Sequence, residues 1–380
     1  TFTPTETPVA TSTPIPANGS ILDAIRAAAP GSVILVPPGT YEPFTVTAAD
    51  VQGALTLLAD RTDVRVGSTG AVVTINANGA TAAITLQGVT DMAIDGFELT
   101  GGSLAGVRMT DCVGITVRNS VIRDNLRDGI SLVRSSSELI FNNLIFSNKN
   151  SGINVVGADD VRVINNTIYG NTDSGLIVGD GTLPSSNIFV RNNIFDGNGL
   201  NGISVHVTTS GFDGDYDLNR DGYSPPEVRG AHDVAGDPEF SNPNTEEGFY
   251  LPPTDDNCNG GSAATDAADP NTDPALLSNL SALTTQTDQK LDCLGDFCCP
   301  IGCNGADIPC TKTGLPDMGF HYISSLSLQM PTRTPRPTRT PGSATTSTPS
   351  TPVTTTTPIA TATIRRASTR THTPTPTATP

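Results

Sequence analysis

The feature that most constrains the fold is a glycine that recurs every 23 residues. Gly106, Gly129, Gly152 and Gly175 have this spacing, and Gly202 follows after 27 residues, where the insertion GTLPSS lengthens one repeat. Each glycine precedes a short stretch of alternating apolar residues, as in GVRM, GISL and GINV. A fixed period in this range is typical of a solenoid, in which each repeat forms one turn of the chain.

Each repeat contains three short apolar segments separated by polar corners, for example GISLV, ELIF and NLIF. Three strands per turn, each paired in parallel with its equivalent one turn later, predict an all-β fold, a single-stranded right-handed parallel β-helix. Because the chain has no Trp and only 5% aromatic residues, it suits the narrow aliphatic core of such a fold. We expect the regular coils at about residues 65–207.

Asparagine recurs at two further positions of the repeat. The first position holds Asn119, Asn142, Asn165 and Asn192. The second holds Asn125, Asn148, Asn171 and Asn198. Coils stack about 4.8 Å apart, so identical amides can hydrogen-bond along a column, and Asn also tolerates the left-handed backbone of a tight corner. The pattern therefore predicts two asparagine ladders with a structural role.

The segment before the repeats predicts a helix that caps the solenoid. Ser20 is a good N-cap, Ile21, Leu22 and Ile25 share one face, and Pro30 ends the pattern. The strand SVILV follows directly. A short amphipathic helix in this place would cover an exposed end of the sheets.

Domain boundaries follow from composition. Residues 1–17 and 323–380 are rich in Thr and Pro and lack the apolar residues needed for a core, which predicts extended linkers or stalks. Between them we expect one domain, residues 18–322, in which an irregular closing region at 208–322 follows the regular coils.

Six of the seven cysteines fall within this closing region. They are Cys258, Cys293, Cys298, Cys299, Cys303 and Cys310. Such clustering predicts three disulfides whose pairing the sequence leaves open; a zinc site is the alternative, although no C-x2-C pair occurs. Cys112 stands alone in an apolar repeat and is predicted to be a small buried residue.

Charge and hydropathy limit the partners. The formal net charge of −17 argues against nucleic acid, because phosphate binding needs a basic face. No apolar run reaches the length of a membrane span. Together with clustered cysteines and Thr/Pro stalks, these features predict a secreted or cell-surface protein, which we expect to be a monomer.

Several segments resemble a known family. The opening SILDAIRAAAPGSVILVPPGTY is similar to the first coil of secreted pectate-lyase-like β-helix proteins. The elements AGDPEFSNP, SAATDAADP and PDMGFHY resemble, in order, the closing segment of chondroitinase-B-like β-helix proteins, with Ala263 and Ala268 in place of the usual Pro and Gly of the second element.

The resemblance implies polysaccharide chemistry, because the family includes lyases, hydrolases and epimerases. Its catalytic signatures are missing here: NTDSG resembles one polygalacturonase motif, but the paired-Asp, Gly-His-Gly and Arg-Ile-Lys motifs have no counterpart, and the epimerase Asp-Pro-His-Asp stretch is absent.

Polar residues on and around the glycine-led strands are the candidates for a site. The residues two after each glycine should point outward in one column, namely Arg108, Ser131, Asn154, Ile177 and Ser204. The candidate catalytic residues are Arg108, Arg127, Lys149 and Asp173, and the candidate substrate-binding residues are Asp128, Arg134, Asn154 and His206. Arg can clamp a sugar carboxylate, and Lys or Arg could abstract a proton in a lyase. The alternative is that these are ordinary solvated charges.

The acidic segment GFDGDYDLNRDGY predicts a calcium site. Its candidate ligands are Asp213, Asp215, Asp217, Asn219 and Asp221. The spacing D-x-N-x-D-G matches the start of a calcium loop, but Val228 stands where such a loop has its last ligand, so a plain acidic turn is the alternative.

Two functions from different classes remain open. The first is a non-catalytic module that binds an extended polysaccharide. The second is an acidic-polysaccharide lyase or hydrolase that acts on the solenoid face, with Ca²⁺ as a possible cofactor. The missing signatures and the two stalks favour the first.

Overall fold

The fold was analysed in a computed structural model. It describes residues 12–14, 19–60, 72–240, 243, 249, 268–269, 271, 283–284 and 322–323. Three parallel sheets run along one solenoid, and each coil contributes one strand to sheet 1, then sheet 2, then sheet 3. The expected all-β parallel β-helix is therefore confirmed.

The three sheets are defined by their strands in chain order. Sheet 1 comprises Ser12–Pro14, Ser32–Val36, Leu55–Ala59, Met92–Asp95, Thr116–Arg118, Leu139–Phe141, Asp159–Ile164, Ser186–Arg191 and Ser210–Asp215. Sheet 2 comprises Gly39–Tyr41, Val73–Asn76, Glu98–Thr100, Val121–Arg123, Leu144–Phe146, Thr167–Tyr169, Ile194–Asp196 and Leu218–Asn219. Sheet 3 comprises Phe44–Thr47, Ala82–Gln87, Ala105–Thr110, Asp128–Val133, Ile153–Val156, Leu176–Val178, Ile203–Val205 and Tyr223–Ser224. A separate antiparallel pair joins Leu283–Thr284 to Tyr322–Ile323.

Like residues stack on like residues in the core. Ile122 pairs with Ile145, and Ile145 with Ile168, in the next two coils. All three side chains are fully buried. The parallel register thus builds the interior from continuous aliphatic columns, which bury apolar area at every coil.

The recurring glycine lies in a single file, as its spacing predicts. A Cβ at Gly152 would lie 2.5 Å from Ile168 Cγ2 and 2.7 Å from the carbonyl oxygen of Gly175. The same collision with the next glycine's carbonyl oxygen would occur at Gly106, Gly129 and Gly175. Glycine is needed at this position because adjacent coils approach too closely there for any side chain.

Both predicted asparagine ladders are present. Asn125, Asn148 and Asn171 each donate from Nδ2 to Oδ1 of the asparagine in the next coil, at 2.9 Å. In the other ladder, Asn142 Nδ2 donates to Asn119 Oδ1 at 2.8 Å, and both residues have a left-handed backbone with φ of 53°. Stacked amides satisfy one another at these corners.

A third ladder was not predicted. Asn143 Nδ2 donates to Asn166 Oδ1, and Asn166 Nδ2 to Asn193 Oδ1, both at 3.0 Å. These side chains are fully buried beside the left-handed corner. The two adjacent asparagines of each repeat therefore belong to different ladders. In the pair Asn142-Asn143, Asn142 adopts the left-handed backbone of the corner and Asn143 is buried beside it.

Helix α1, Ile21–Ala27, caps the N-terminal end as predicted. The Ser20 hydroxyl accepts from the Asp23 backbone N–H at 3.3 Å, and Ile25 is buried in the solenoid core. The strand Ser12–Pro14, from the segment predicted as a linker, pairs in parallel with Ser32–Val36 and covers that exposed edge. No described helix is long and apolar enough to span a membrane.

The coils extend one turn past the predicted limit of Val207. Strands Ser210–Asp215, Leu218–Asn219 and Tyr223–Ser224 each pair with the preceding coil. Asp and Gly replace most apolar residues in this turn, so its periodicity is hidden in the sequence.

Described residues of the closing region pack on the outside of sheet 2. The Phe249 ring lies 5.3 Å from Phe146, 5.2 Å from Tyr169 and 5.1 Å from Phe240, measured between ring centres. Ala268 is buried with outward-facing residues of the last sheet 2 strands. Phe240 and Ala268 belong to the closing elements that the sequence identified.

The six clustered cysteines lie outside the described residues, so their disulfides stay a prediction. Cys112 is described, with a free thiol that is 1% exposed and that donates to the Thr110 carbonyl at 3.4 Å. Its prediction as a small buried residue is confirmed.

Candidate functional site

The outward column of sheet 3 forms as predicted. Arg108 pairs with Ser131, Ser131 with Asn154, and the column continues through Ile177 to Ser204. The residues on either side of each member are buried in the core. Coils rise about 4.8 Å each, so the column presents one side chain per coil along a straight line.

The corner between sheets 2 and 3 borders this column and holds the other candidate catalytic residues. Backbone hydrogen bonds align Arg127, Asn150 and Asp173 in one file. Lys149 lies in the adjacent file, in the coil between Arg127 and Asp173. We call the outward column of sheet 3 and these two files the sheet 3 face.

Three cations of the sheet 3 face are without an acidic partner. Within the described part of the chain, Arg108, Arg127 and Lys149 make no ion pair or side-chain hydrogen bond, and the last two are exposed. They belong to three successive coils, with one cation in each.

The other described cations are engaged. Those that pair with carboxylates are Arg26, Arg118, Arg123, Arg134, Arg191 and Arg220. Arg162 lies over the Phe189 ring, and Arg229 donates to the Asp233 carbonyl. The unpaired positive charge of the described chain therefore concentrates on the sheet 3 face.

The two candidate carboxylates of this face differ in environment. Asp128 is 3% exposed and accepts from Asn150 Nδ2 at 2.6 Å and from Asn154 Nδ2 at 3.2 Å. Asp173 is half-buried and accepts a long hydrogen bond from the Ser174 hydroxyl, 3.4 Å. Asp128 thus holds Asn150 and Asn154 in place, whereas Asp173 is the more accessible group.

Arg134 and His206 lie at the opposite corner, between sheets 3 and 1. Arg134 forms two hydrogen bonds to Asp111, at 2.7 and 2.8 Å, which raise the pKa of the guanidinium and lower that of the carboxyl. His206 Nδ1 bonds the Thr208 hydroxyl at 3.0 Å, and its ring packs beside Gly181. These two predicted substrate-binding residues are therefore not grouped with Arg127 and Lys149.

The predicted calcium ligands are used as hydrogen-bond acceptors along the last coil. Asp217 Oδ1 accepts from the backbone and side-chain N–H groups of Asn193, at 2.7 and 2.9 Å. Asp221 Oδ2 accepts in the same way from Asn198, at 2.9 and 2.7 Å. Asp217 and Asp221 thus end the two inner asparagine ladders, and burial raises the pKa of Asp217 well above its ordinary value.

The remaining three candidates bind other partners. Asp213 pairs with Arg191 at 2.7 Å, and Asn219 Oδ1 accepts from the Gly222 N–H at 3.0 Å. Burial alone would raise the pKa of Asp215, but two hydrogen bonds from His232 lower it.

The five side chains therefore do not converge. The described residues contain no group of three or more His, Cys, Asp or Glu placed to hold a metal ion. The residues do not fit the predicted calcium site as a set. Calcium binding itself stays a prediction.

Sequence reasoning missed three residues of the sheet 3 face. Asn150 occupies the same file as Arg127 and Asp173, and its 23-residue offset from Arg127 was the available signal. Leu126 and Leu200 are 59% and 65% exposed at the same corner and add apolar surface beside the cations.

Comparisons with known proteins agree with the fold. Residues 66–215 match a family described as right handed beta helix region. A comparison with curated protein sequences found no match. The right-handed β-helix fold expected from the sequence is thus confirmed.

Solved structures with some similarity include three polysaccharide-modifying enzymes. Pectate lyase Pel9A has 17% identity and a TM-score of 0.39, covering 54% of this chain and 55% of that one. The periplasmic alginate epimerase AlgG has 18% identity and a TM-score of 0.32, covering 47% and 44%. An alginate lyase from Paenibacillus sp. str. FPU-7 has 16% identity and a TM-score of 0.33, covering 49% and 78%. The chain spans about half the length of the first two, and similarity at this level assigns it no activity.

Proposed function

We propose that this right-handed β-helix protein is a secreted or cell-surface module that binds an extended acidic polysaccharide along its sheet 3 face. The observation that carries the proposal is the set of unpaired cations Arg108, Arg127 and Lys149, one in each of three successive coils. In a chain of net charge −17, such a group of unpaired cations is conspicuous, because most other described cations already have an acidic partner.

The spacing of the cations suits an extended polymer. Successive coils rise about 4.8 Å, so the three cations span about 10 Å along the solenoid axis. Arg127 lies opposite Leu104 of the preceding coil, four residues before Arg108, so Arg108 is displaced sideways by about 13 Å. A polysaccharide that meets all three cations would therefore run obliquely across the coils. Arg binds carboxylates through paired hydrogen bonds, and such charge-assisted contacts are stronger than neutral ones.

The geometry favours binding over catalysis. A glycosidase needs two facing carboxyl groups, of which one is protonated. Here Asp128 is committed to the amides of Asn150 and Asn154, which leaves Asp173 as the accessible carboxylate. A lyase would need Arg127 or Lys149 to lose its proton before it could act as a base.

Affinity measurements with single variants test the proposal. We expect Arg127→Ala and Lys149→Ala each to weaken binding to polygalacturonate or alginate about tenfold, the loss of one charge-assisted hydrogen bond of roughly 1.5 kcal/mol. Binding should also weaken as salt is raised from 0.05 to about 0.5 M, because exposed charges are screened. Isothermal titration calorimetry gives both results.

Arg162→Ala is the matched control, because Arg162 also lacks a carboxylate partner but lies on sheet 1. Equal loss of affinity in Arg162→Ala and Arg127→Ala would place binding elsewhere. Release of reducing ends, or a rise in the absorbance of unsaturated uronates, would show that the protein is an enzyme and would contradict the proposal of a binding module.

A further inference from the structure

One carboxyl group lies in the middle of the aliphatic core. Glu138 is aligned with Ile115 in the preceding coil and Val161 in the following one, because Leu139 bonds the Ile115 carbonyl and Arg162 bonds the Glu138 carbonyl. All three aligned side chains are fully buried. Glu138 therefore occupies an interior position that neighbouring coils fill with aliphatic residues.

No side chain satisfies the carboxyl group of Glu138, and the nearby backbone N–H groups of Ser136 and Glu138 favour its ionised form less than burial disfavours it. Both Oε1 and Oε2 are buried and neither makes a hydrogen bond within the described part of the chain. An ionised carboxylate without a partner is expensive to bury, so the folded coil holds this group in its protonated form. Burial raises the pKa of Glu138 to about 8.

The groups that face Glu138 do not relieve this cost. The Asp160 carboxylate of the following coil disfavours a second negative charge. The Cys112 thiol of the preceding coil donates to the Thr110 carbonyl, and burial raises its pKa, so it carries no charge that could stabilise the Glu138 carboxylate. The neighbouring Asp159 carboxylate is directed to Ser186 and Asn187, at 2.6 and 2.9 Å. No cation of the described chain pairs with Glu138.

We propose that Glu138 is a pH-sensitive weak point of the solenoid, at which its coil opens locally to expose the carboxylate to water as the solution becomes more alkaline. The coil that begins with Leu139–Phe141 also carries Lys149, so opening there would disturb the sheet 3 face. The inference concerns the fold and holds whether or not that face binds a polysaccharide.

The sign of the effect follows from linkage. In the opened coil Glu138 has its ordinary pKa of about 4.5, while in the closed coil the pKa is about 8. Between these values only the closed coil keeps the proton, so the closed state loses stability as the pH rises. The protection factor should fall about tenfold per pH unit from pH 5 to pH 8 and then level off.

Hydrogen exchange of the whole chain tests this. Amides of Leu139–Phe141 are followed by mass spectrometry from pH 5 to 9, with intrinsic exchange rates divided out. Protection should fall with pH in the wild type and stay constant in Glu138→Gln and in Glu138→Ile, whose new side chain matches Ile115 and Ile188 of the same column. Two variants are used so that a folding defect in one of them leaves the other to test the proposal.

The variant Cys112→Ala shows whether the pH dependence comes from the Glu138 carboxyl group or from the Cys112 thiol. Cys112 is aligned with the buried residue Ala158 two coils later, so an alanine fits at this position of the repeat. We expect Cys112→Ala to keep the wild-type pH dependence. A constant protection factor in the wild type, an unchanged slope in Glu138→Gln or Glu138→Ile, or a slope abolished by Cys112→Ala would each overturn the proposal.

Discussion

At the scale of single residues, close approach of adjacent coils sets the strongest requirement. The Cα hydrogens of Gly106, Gly129, Gly152 and Gly175 face the carbonyl oxygen of the next glycine in the file, with ladder asparagines alongside. A close backbone approach that excludes Cβ is one of the few reasons a glycine is irreplaceable. The glycine file therefore fixes the register of every coil that it crosses.

Gly152→Ala tests this requirement. The added methyl group would meet Ile168 Cγ2 at 2.5 Å and the Gly175 carbonyl oxygen at 2.7 Å. Overpacking of this kind costs about 1–3 kcal/mol, so the melting temperature should fall by several degrees. Thermal unfolding followed by circular dichroism measures the change, and Thr172→Ala, at an exposed residue of the next coil, is the control. A wild-type melting temperature in Gly152→Ala would show that the coils are farther apart than described.

At the scale of an element, the inner asparagine ladders have a direction. Each Oδ1 accepts from the preceding coil and each Nδ2 donates to the following one, as at Asn125, Asn148 and Asn171. The last amide N–H of each ladder needs an acceptor that, unlike asparagine, has no donor of its own to satisfy. Asp217 and Asp221 supply it, which explains acidic residues where the repeat would otherwise place asparagine.

The variant Asn148→Asp replaces a donor of one inner ladder, the Asn148 side-chain amide, by a carboxylate that can only accept. The substitution removes the donor to Asn171 Oδ1 and to the Ile122 carbonyl and buries an uncompensated charge. We expect a loss of about 3–5 kcal/mol at pH 7. The loss should shrink at pH 4, because the buried carboxyl has a raised pKa and its protonated form can donate. Urea unfolding at both pH values measures this.

The exposed neighbour Lys149→Ala should unfold as the wild type does at both pH values. If Asn148→Asp matched it, the ladder would contribute nothing to stability.

The acidic loop belongs to the same scale. Because Asp217 and Asp221 are engaged by the ladders and Asp213 by Arg191, we expect EDTA to leave the melting temperature within about 1 °C of its value in calcium. A mesophilic domain that binds calcium 100-fold above its dissociation constant gains about 2.7 kcal/mol, which differential scanning calorimetry would detect. A calcium-dependent rise of several degrees would restore the calcium site that the sequence predicts.

At the scale of the whole molecule, the faces of the solenoid have different environments. The closing region packs Phe240, Phe249 and Ala268 on the outside of sheet 2. Sheet 1 carries paired charges such as Arg118 with Asp95. Three of the described cations without a carboxylate partner, Arg108, Arg127 and Lys149, are on the sheet 3 face, so the strongest attraction for an anionic polymer is expected there.

The sequence predicted the parts of this arrangement that depend on register. Once Gly106 and Gly129 define the offset, the places of Arg108 and Asn125 in their columns follow. The partner of each side chain does not follow, because partners come from chain segments far apart in sequence. Arg134 was therefore grouped with Arg127, although Asp111 holds it at the opposite corner.

The sequence analysis did not predict the last coil or the burial of Glu138, because the residues concerned interrupt the apolar pattern. The last coil lacks apolar alternation since its Asp and Gly residues end the ladders and close the solenoid. Glu138 interrupts an aliphatic column, and a buried acid cannot be told from an exposed corner acid by sequence alone.

The sequence by itself determined the coil, its three strands and the stacking of like on like, because parallel pairing at a fixed period leaves one register that buries the aliphatic residues. Only the tertiary structure decided which charges stay unpaired and which acids are buried, because electrostatic partners and burial depend on distances between coils and on the closing region, neither of which is encoded in a local pattern.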